Sequence, residues 1–197
     1  MIITDYWETL YRNGGVSGSG SVGLSRLFKW RTVNKHVNVK KSSVIDVGCG
    51  DLTFWKRKTC ADYTGIEMST TRYNLNKELR PDFKFINSNA AKYQNIKKAD
   101  VVFCFDMLFH IMDDEDYKTI LENLTKYSNE YIFVYTWYRN PFDGKTDDGE
   151  YQKYRNFDDY VNTFLKRGFI LKGVKKAPKC INPFGAMWIF KKVQQGL

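Results

Sequence analysis

The most informative stretch is Val44-Ile45-Asp46-Val47-Gly48-Cys49-Gly50-Asp51, an apolar run that ends on two glycines one residue apart. Glycine at both positions lets backbone N–H groups approach a ligand with no Cβ in the way. A dinucleotide fingerprint needs a third glycine at position 53, for close helix packing under a pyrophosphate. Thr53 stands there, which argues against NAD or FAD. Asp46, two residues before the first glycine, suits a ligand with an ammonium group. The next apolar run ends in Gly65-Ile66-Glu67. Glu67 lies 17 residues after Gly50, close to the spacing at which an acid accepts hydrogen bonds from two ribose hydroxyls. Together these positions predict a nucleoside ligand that carries an amino group.

Groups able to move a proton are few, and the chain has two histidines. His36 sits among basic residues and reads as surface. His110 closes the run Phe105-Asp106-Met107-Leu108-Phe109-His110, and an ordinary pKa near 6.5 suits a base at neutral pH. A structural histidine beside an apolar helix start is the other reading. Asp106 is the second catalytic candidate; its backbone also suits a pocket wall, with the carboxylate fixing the loop. The Gly/Ser stretch Ser17–Ser21 precedes an expected helix over Val22–Val37 and offers free N–H groups and a positive dipole end. With Tyr6, Trp7 and Tyr11 just before it, this segment reads as a lid or as a disordered leader. In Tyr135-Thr136-Trp137-Tyr138-Arg139, Tyr138 and Arg139 are expected substrate contacts, as is Tyr11; packing under the next loop is the alternative.

These residues need elements to hold them. Short apolar runs at Val44–Val47, Tyr63–Ile66, Phe83–Ile86, Val101–Phe105 and Tyr131–Tyr135 each lie about a helix length apart, the pattern of β/α units on a buried parallel sheet. Ser69 is placed to cap a helix that runs to about Leu79 and stops before Pro81. Asp113-Asp114-Glu115-Asp116 suits a helix start, with Ile120, Leu121 and Leu124 on one face. Asn156 precedes a helical Phe157–Lys166 that Gly168 ends. Two last runs, Phe169–Val174 and Ala186–Phe190, form a hairpin. Five β/α units and that hairpin make an α/β, doubly wound, seven-stranded sheet with antiparallel C-terminal strands, whose ligands sit beyond the carboxyl ends of the strands.

Bulk properties set the frame. The 197 residues suffice for one ordinary domain, and 43% hydrophobic with 27% charged content is globular. Cys49, Cys60, Cys104 and Cys180 are scattered, with no C-x-x-C pair, so no metal site is expected and reduced thiols in a cytoplasmic protein are. No apolar run reaches membrane-spanning length, and no export signal opens the chain. The net charge of +9 is uneven: residues 151–197 carry ten Lys/Arg against two acids. Such a region either faces an anionic partner, a phosphorylated sugar or nucleic acid, or is a solvated lysine face.

The glycine turn and Glu67 resemble the class I S-adenosylmethionine-dependent methyltransferase superfamily, over most of the chain. The resemblance implies one domain over residues 1–197, with an N-terminal lid and helix segment over 1–40 and a Rossmann-like core over 41–197. It implies that Asp46, Gly48, Cys49 and Gly50 surround the methionine portion, Glu67 holds the ribose and Met68 packs on the adenine. Asn89, next to Ala90, stands where an acidic residue usually meets the adenine amine, and its carbonyl retains an acceptor. Asp106 and Met107 line the methionine pocket, with Trp7, Ser19 and Gly20 in the lid. Trp7-Glu8, Tyr11-Arg12, Ser17-Gly18-Ser19-Gly20-Ser21, Phe28-Lys29 and Tyr154-Arg155-Asn156-Phe157 are similar to a group of small bacterial and phage methyltransferases, some found near glycosyltransferases. Asn140-Pro141-Phe142 and Asn182-Pro183-Phe184 resemble a signature for methylating base amines. That signature belongs after the fourth strand, where Phe105-Asp106-Met107-Leu108 stands. The expected protein is a monomer or weak dimer, bound to no membrane. It moves a methyl group from S-adenosylmethionine to a hydroxyl or amine of a small molecule or glycan and leaves S-adenosylhomocysteine. A nucleic-acid methyltransferase using the basic C-terminal region and a non-catalytic cofactor-binding protein are the alternatives.

Overall fold

The computed structural model describes residues 3–193. One seven-stranded sheet carries the order β3-β2-β1-β4-β5-β7-β6. Its strands are β1 Ser43–Val47, β2 Asp62–Glu67, β3 Lys84–Asn87, β4 Ala99–Phe105, β5 Ser128–Trp137, β6 Phe169–Lys176 and β7 Gly185–Lys192. The first five are parallel, and β7 runs antiparallel to both β5 and β6. The strand order reverses at the β1–β4 pair, so the crevice for a ligand opens past their carboxyl ends.

Alternation along the strands divides the core in two. Val102 and Cys104 face one core while Val101 and Phe103 face the other, and β5 does the same with Ile132 and Val134 against Phe133 and Tyr135. On β1, Ile45 and Val47 join the first core and Val44 the second. Asp46, two residues on from Val44, therefore shares the second face.

Helix α4 (Asp114–Tyr127) covers the first face with Tyr117, Ile120, Leu121, Leu124 and Tyr127, at helical spacing. Asp113 caps it by accepting from the N–H groups of Glu115 and Asp116. The second face is covered by α2 (Gly23–Val33) through Trp30 and Val33, together with Phe54 and Trp55 of a 3-10 turn. Trp55 is fully buried, and truncating it to alanine is expected to cost about 3–5 kcal/mol. Helix α1 (Ile3–Arg12) lies against α3 (Thr70–Leu79), whose Ser69 cap is the one expected.

The regular β/α alternation is broken twice. Between β1 and β2 there is only the turn Thr53–Trp55; Leu52 and Arg57 on either side have left-handed φ values of 60° and 58°, which no helix accommodates. Between β3 and β4, residues 88–98 contain no helix. They are pinned by α4: Asn123 donates to the carbonyls of Ala90 and Ala91, and the Tyr127 hydroxyl accepts from the Gln94 N–H. The expected helix over Val22–Val37 stops at Val33, and that over Phe157–Lys166 is a 3-10 turn followed by the short α5 (Val161–Leu165). Among the described residues, no helix is long and apolar enough to cross a membrane.

Candidate active site

The turn after β1 is shaped by its glycines. Gly48 and Gly50 have φ values of +74° and +55°, and a Cβ on Gly48 would lie 2.7 Å from Met107 Cγ. The turn's amides do not point outward as donors for a ligand. Gly48 and Cys49 both donate to the Ile66 carbonyl (2.9 and 3.2 Å), and Gly50 donates to Glu67 Oε2 (2.9 Å). The glycines thus provide room, while the hydrogen bonds lock β1 to β2.

Glu67 is buried, and its other oxygen accepts from the Ser69 N–H at 2.8 Å. Burial pushes its carboxyl up to about 7, against the pull of those amides. Two oxygens that accept one amide each retain lone pairs for further donors. Asp46 departs from expectation. Its carboxylate faces the second core, accepting from Trp55 Nε1 (2.7 Å) and the Tyr63 hydroxyl (3.2 Å), and burial raises it to about 6. It lines neither cavity of the site, because strand alternation turns it under the sheet.

Two cavities meet over the β1–β4 crevice. The larger, of about 860 Å³, is lined by Trp7, Tyr11, Ser19, Gly20, Gly48, Cys49, Gly50, Glu67, Met68, Asp106, Met107 and His110 among others. The smaller, of about 280 Å³, adds Ser88, Asn89 and Ala90 and shares Trp7, Gly48, Met68, Met107 and His110. Asn89 Oδ1 accepts from the Ala91 N–H at 2.8 Å, so one of its lone pairs is taken. Tyr11 lines the larger cavity beside the glycine turn, hydrogen-bonded through its hydroxyl to Ser17 Oγ at 3.1 Å.

Side chains missed in the sequence hold the N-terminal segment over this crevice. The Ser17 N–H donates to Asp51 Oδ2 (2.7 Å), and the Asp51 N–H donates to Ser17 Oγ (3.0 Å). Glu8 accepts from Thr71 and Ser69 at the start of α3; the Thr71 hydroxyl is the main reason its carboxyl is held down at about 2. Lys29, fully buried on α2, donates to the Gly20 carbonyl at 2.8 Å and to the Asp106 carboxylate, with its ammonium over the Tyr135 ring. Asp106 has a left-handed φ of 55°, and a Cβ on Gly20 would collide with its carboxylate. Lys29 was visible only as part of the Phe28-Lys29 motif; nothing in the helix periodicity marks it as buried.

On the side away from the glycine turn the walls are aromatic. His110 is buried, 4.9 Å from Trp7, 4.5 Å from Phe109 and stacked at 5.4 Å on Tyr151. Its Nδ1 faces the Tyr151 carbonyl at 3.2 Å, which can only accept, so Nδ1 carries the proton and Nε2 the lone pair. Burial lowers its pKa to about 4. Tyr151 reaches His110 because Arg155 clamps its segment, donating to the carbonyls of Ile111 and Met112 and to Asp114.

Tyr138 and Arg139 line neither cavity. Tyr138 packs against the first core, its ring under Lys176, and Arg139 lies over Phe184; the neighbouring Trp137, on the other side of the strand, faces the crevice. Among the described residues no lysine or arginine lines either cavity, and Lys175, Lys176, Lys191 and Lys192 lie on β6 and β7. No group of His, Cys, Asp or Glu side chains among the described residues is arranged to hold a metal ion.

Residues 44–129 match a family model described as a methyltransferase domain. The ubiquinone biosynthesis O-methyltransferase of Stutzerimonas stutzeri (strain A1501) is 30% identical over 117 residues. That match covers 55% of this chain and 50% of that protein, so the chain spans about half the length of its curated relative. Among solved structures, the magnesium protoporphyrin IX methyltransferase of Synechocystis PCC 6803 with bound SAH is similar at a TM-score of 0.68 and 14% identity, covering 96% of this chain and 94% of the other. The [4+2]-cyclase SpnF is similar at a TM-score of 0.72 and 10% identity, covering 96% and 93%. At such identities the likeness concerns the fold.

Proposed function

We propose that this chain, a member of the class I S-adenosylmethionine-dependent methyltransferase superfamily, transfers a methyl group from that cofactor to a hydroxyl oxygen of a small molecule. The observation that carries the reading is Glu67. A buried carboxylate with unused lone pairs lies beside a glycine turn, at the floor of a crevice running from Asn89 to His110. Gly48 and Gly50 leave space for the methionine portion, Glu67 accepts from the ribose hydroxyls, and Met68, Asn89 and Ala90 receive the adenine. When bound, the cofactor supplies an electrophilic methyl carbon on a sulfonium.

The chain's own groups then do three things. The N-terminal segment, held by Glu8, Ser17 and Lys29, covers the crevice and excludes water. The aromatic walls orient the acceptor in line with the methyl carbon. His110 Nε2 would take the hydroxyl proton of the acceptor as its oxygen is methylated. The low basicity that burial gives His110 suits a proton taken late, when the oxygen already carries positive charge. A named O-methyltransferase among the relatives supports oxygen as the acceptor atom. The test is calorimetric titration with S-adenosylhomocysteine, with Glu67→Ala as control. Micromolar binding lost in the variant supports the reading, and no binding by the folded wild-type chain refutes it.

A further inference from the structure

We infer that the acceptor is an uncharged aromatic alcohol, a phenol of one or two rings. This rests on the methyl-transfer reading of the crevice and narrows its second substrate. Trp137 stacks on Phe109 with centroids 4.3 Å apart and planes 9° from parallel, and Tyr6 stacks on Tyr151 at 4.4 Å and 15°. His110 joins the two pairs, so its Nε2 belongs to a continuous aromatic wall. Such a wall takes a flat ring by offset or edge contact.

The rim continues the same chemistry. Val16, Val22 and Leu24 line the cavity and are 69%, 47% and 61% exposed, so their apolar surface is free to meet a substrate body. Charge selects against anions. The acidic groups on the lining are Glu67 and Asp106; among the described residues no lysine or arginine lines the cavity, and the buried ammonium of Lys29 is committed to Asp106 and the Gly20 carbonyl. Along the aromatic wall, away from the glycine turn that receives the cofactor's methionine portion, a phosphate or carboxylate on the acceptor would lose its hydration with no lysine or arginine side chain to replace it. A neutral hydroxyl on a ring meets none of that cost and delivers its proton to His110.

The experiment uses the full chain with S-adenosylmethionine and follows S-adenosylhomocysteine release. The acceptors are catechol, 2-naphthol, 3,4-dihydroxybenzoate, methyl glucoside and glucose 6-phosphate. The expected result is turnover of catechol or 2-naphthol, with kcat/KM at least about tenfold above that for 3,4-dihydroxybenzoate and no sugar methylated. Trp137→Ala should raise the phenol KM about tenfold with kcat within about threefold and S-adenosylhomocysteine affinity unchanged. Preference for either sugar or for the carboxylated ring overturns the acceptor class. Tight S-adenosylhomocysteine binding with no phenol turned over does so too, while leaving the cofactor reading standing. Absence of S-adenosylhomocysteine binding overturns both.

Discussion

The two halves of the crevice are built from different material. The cofactor half is backbone: a glycine turn, the ends of β1 and β2, and amides fixed on Glu67 and the Ile66 carbonyl. The acceptor half is side chain. Its rings come from Trp7 on α1, Phe109 and His110 after β4, Trp137 at the end of β5 and Tyr151 in the long loop beyond it. Backbone geometry tolerates few residue types, so the first half leaves little freedom for substitution at Gly48 and Gly50. Side-chain rings can be exchanged without moving the backbone that carries them, so under the proposed reading the second half sets specificity and can change without disturbing the first.

That contrast can be broken by experiment. The largest effect is expected in the acceptor half: His110→Gln should lower kcat about 100- to 1000-fold in steady-state assays while S-adenosylhomocysteine affinity stays within about threefold. A parallel loss of binding would mean that the halves are not separable. Next, Gly48→Ala puts a Cβ on a left-handed residue against Met107 and should weaken S-adenosylhomocysteine binding about 10- to 100-fold by calorimetry, with the far-ultraviolet spectrum unchanged. Third comes pH. The free Glu67 carboxyl is raised to about 7, so below that pH the ligand's hydroxyls must displace a proton. Affinity should fall as pH drops, by up to about tenfold per unit, and Glu67→Gln should bind weakly with no such slope. The smallest effect belongs to Arg139→Ala, expected to leave kcat/KM within about twofold because Arg139 lines neither cavity.

The difference between the halves also governs what the sequence reveals. Gly48, Gly50 and Glu67 stand out because a positive φ and a strand-end acid each demand a residue type at a set spacing. The strands were legible because β1, β4 and β5 are buried on both faces and read as apolar runs. Two helices expected between strands are missing, since Phe54 and Trp55 fill one space and α4 side chains pin the other segment. Asp46 was misassigned because position in a motif does not reveal which face of the sheet a side chain takes. The same holds for Tyr138, which packs against the first core while Trp137 takes the crevice side. Ser17–Asp51, Glu8–Thr71 and Lys29–Asp106 join residues 34, 63 and 77 apart, and no local pattern announces such pairs.

Lys29 gives the segment over the crevice a readout of its own. It is wholly buried, and it can meet an amine-reactive reagent only when the Gly20 strap and Asp106 let it go. In a pulse-acetylation experiment read by mass spectrometry, the exposed amines saturate at once and this one lags. Its lag time is a clock for opening of the crevice, slowed by whatever the protein holds inside.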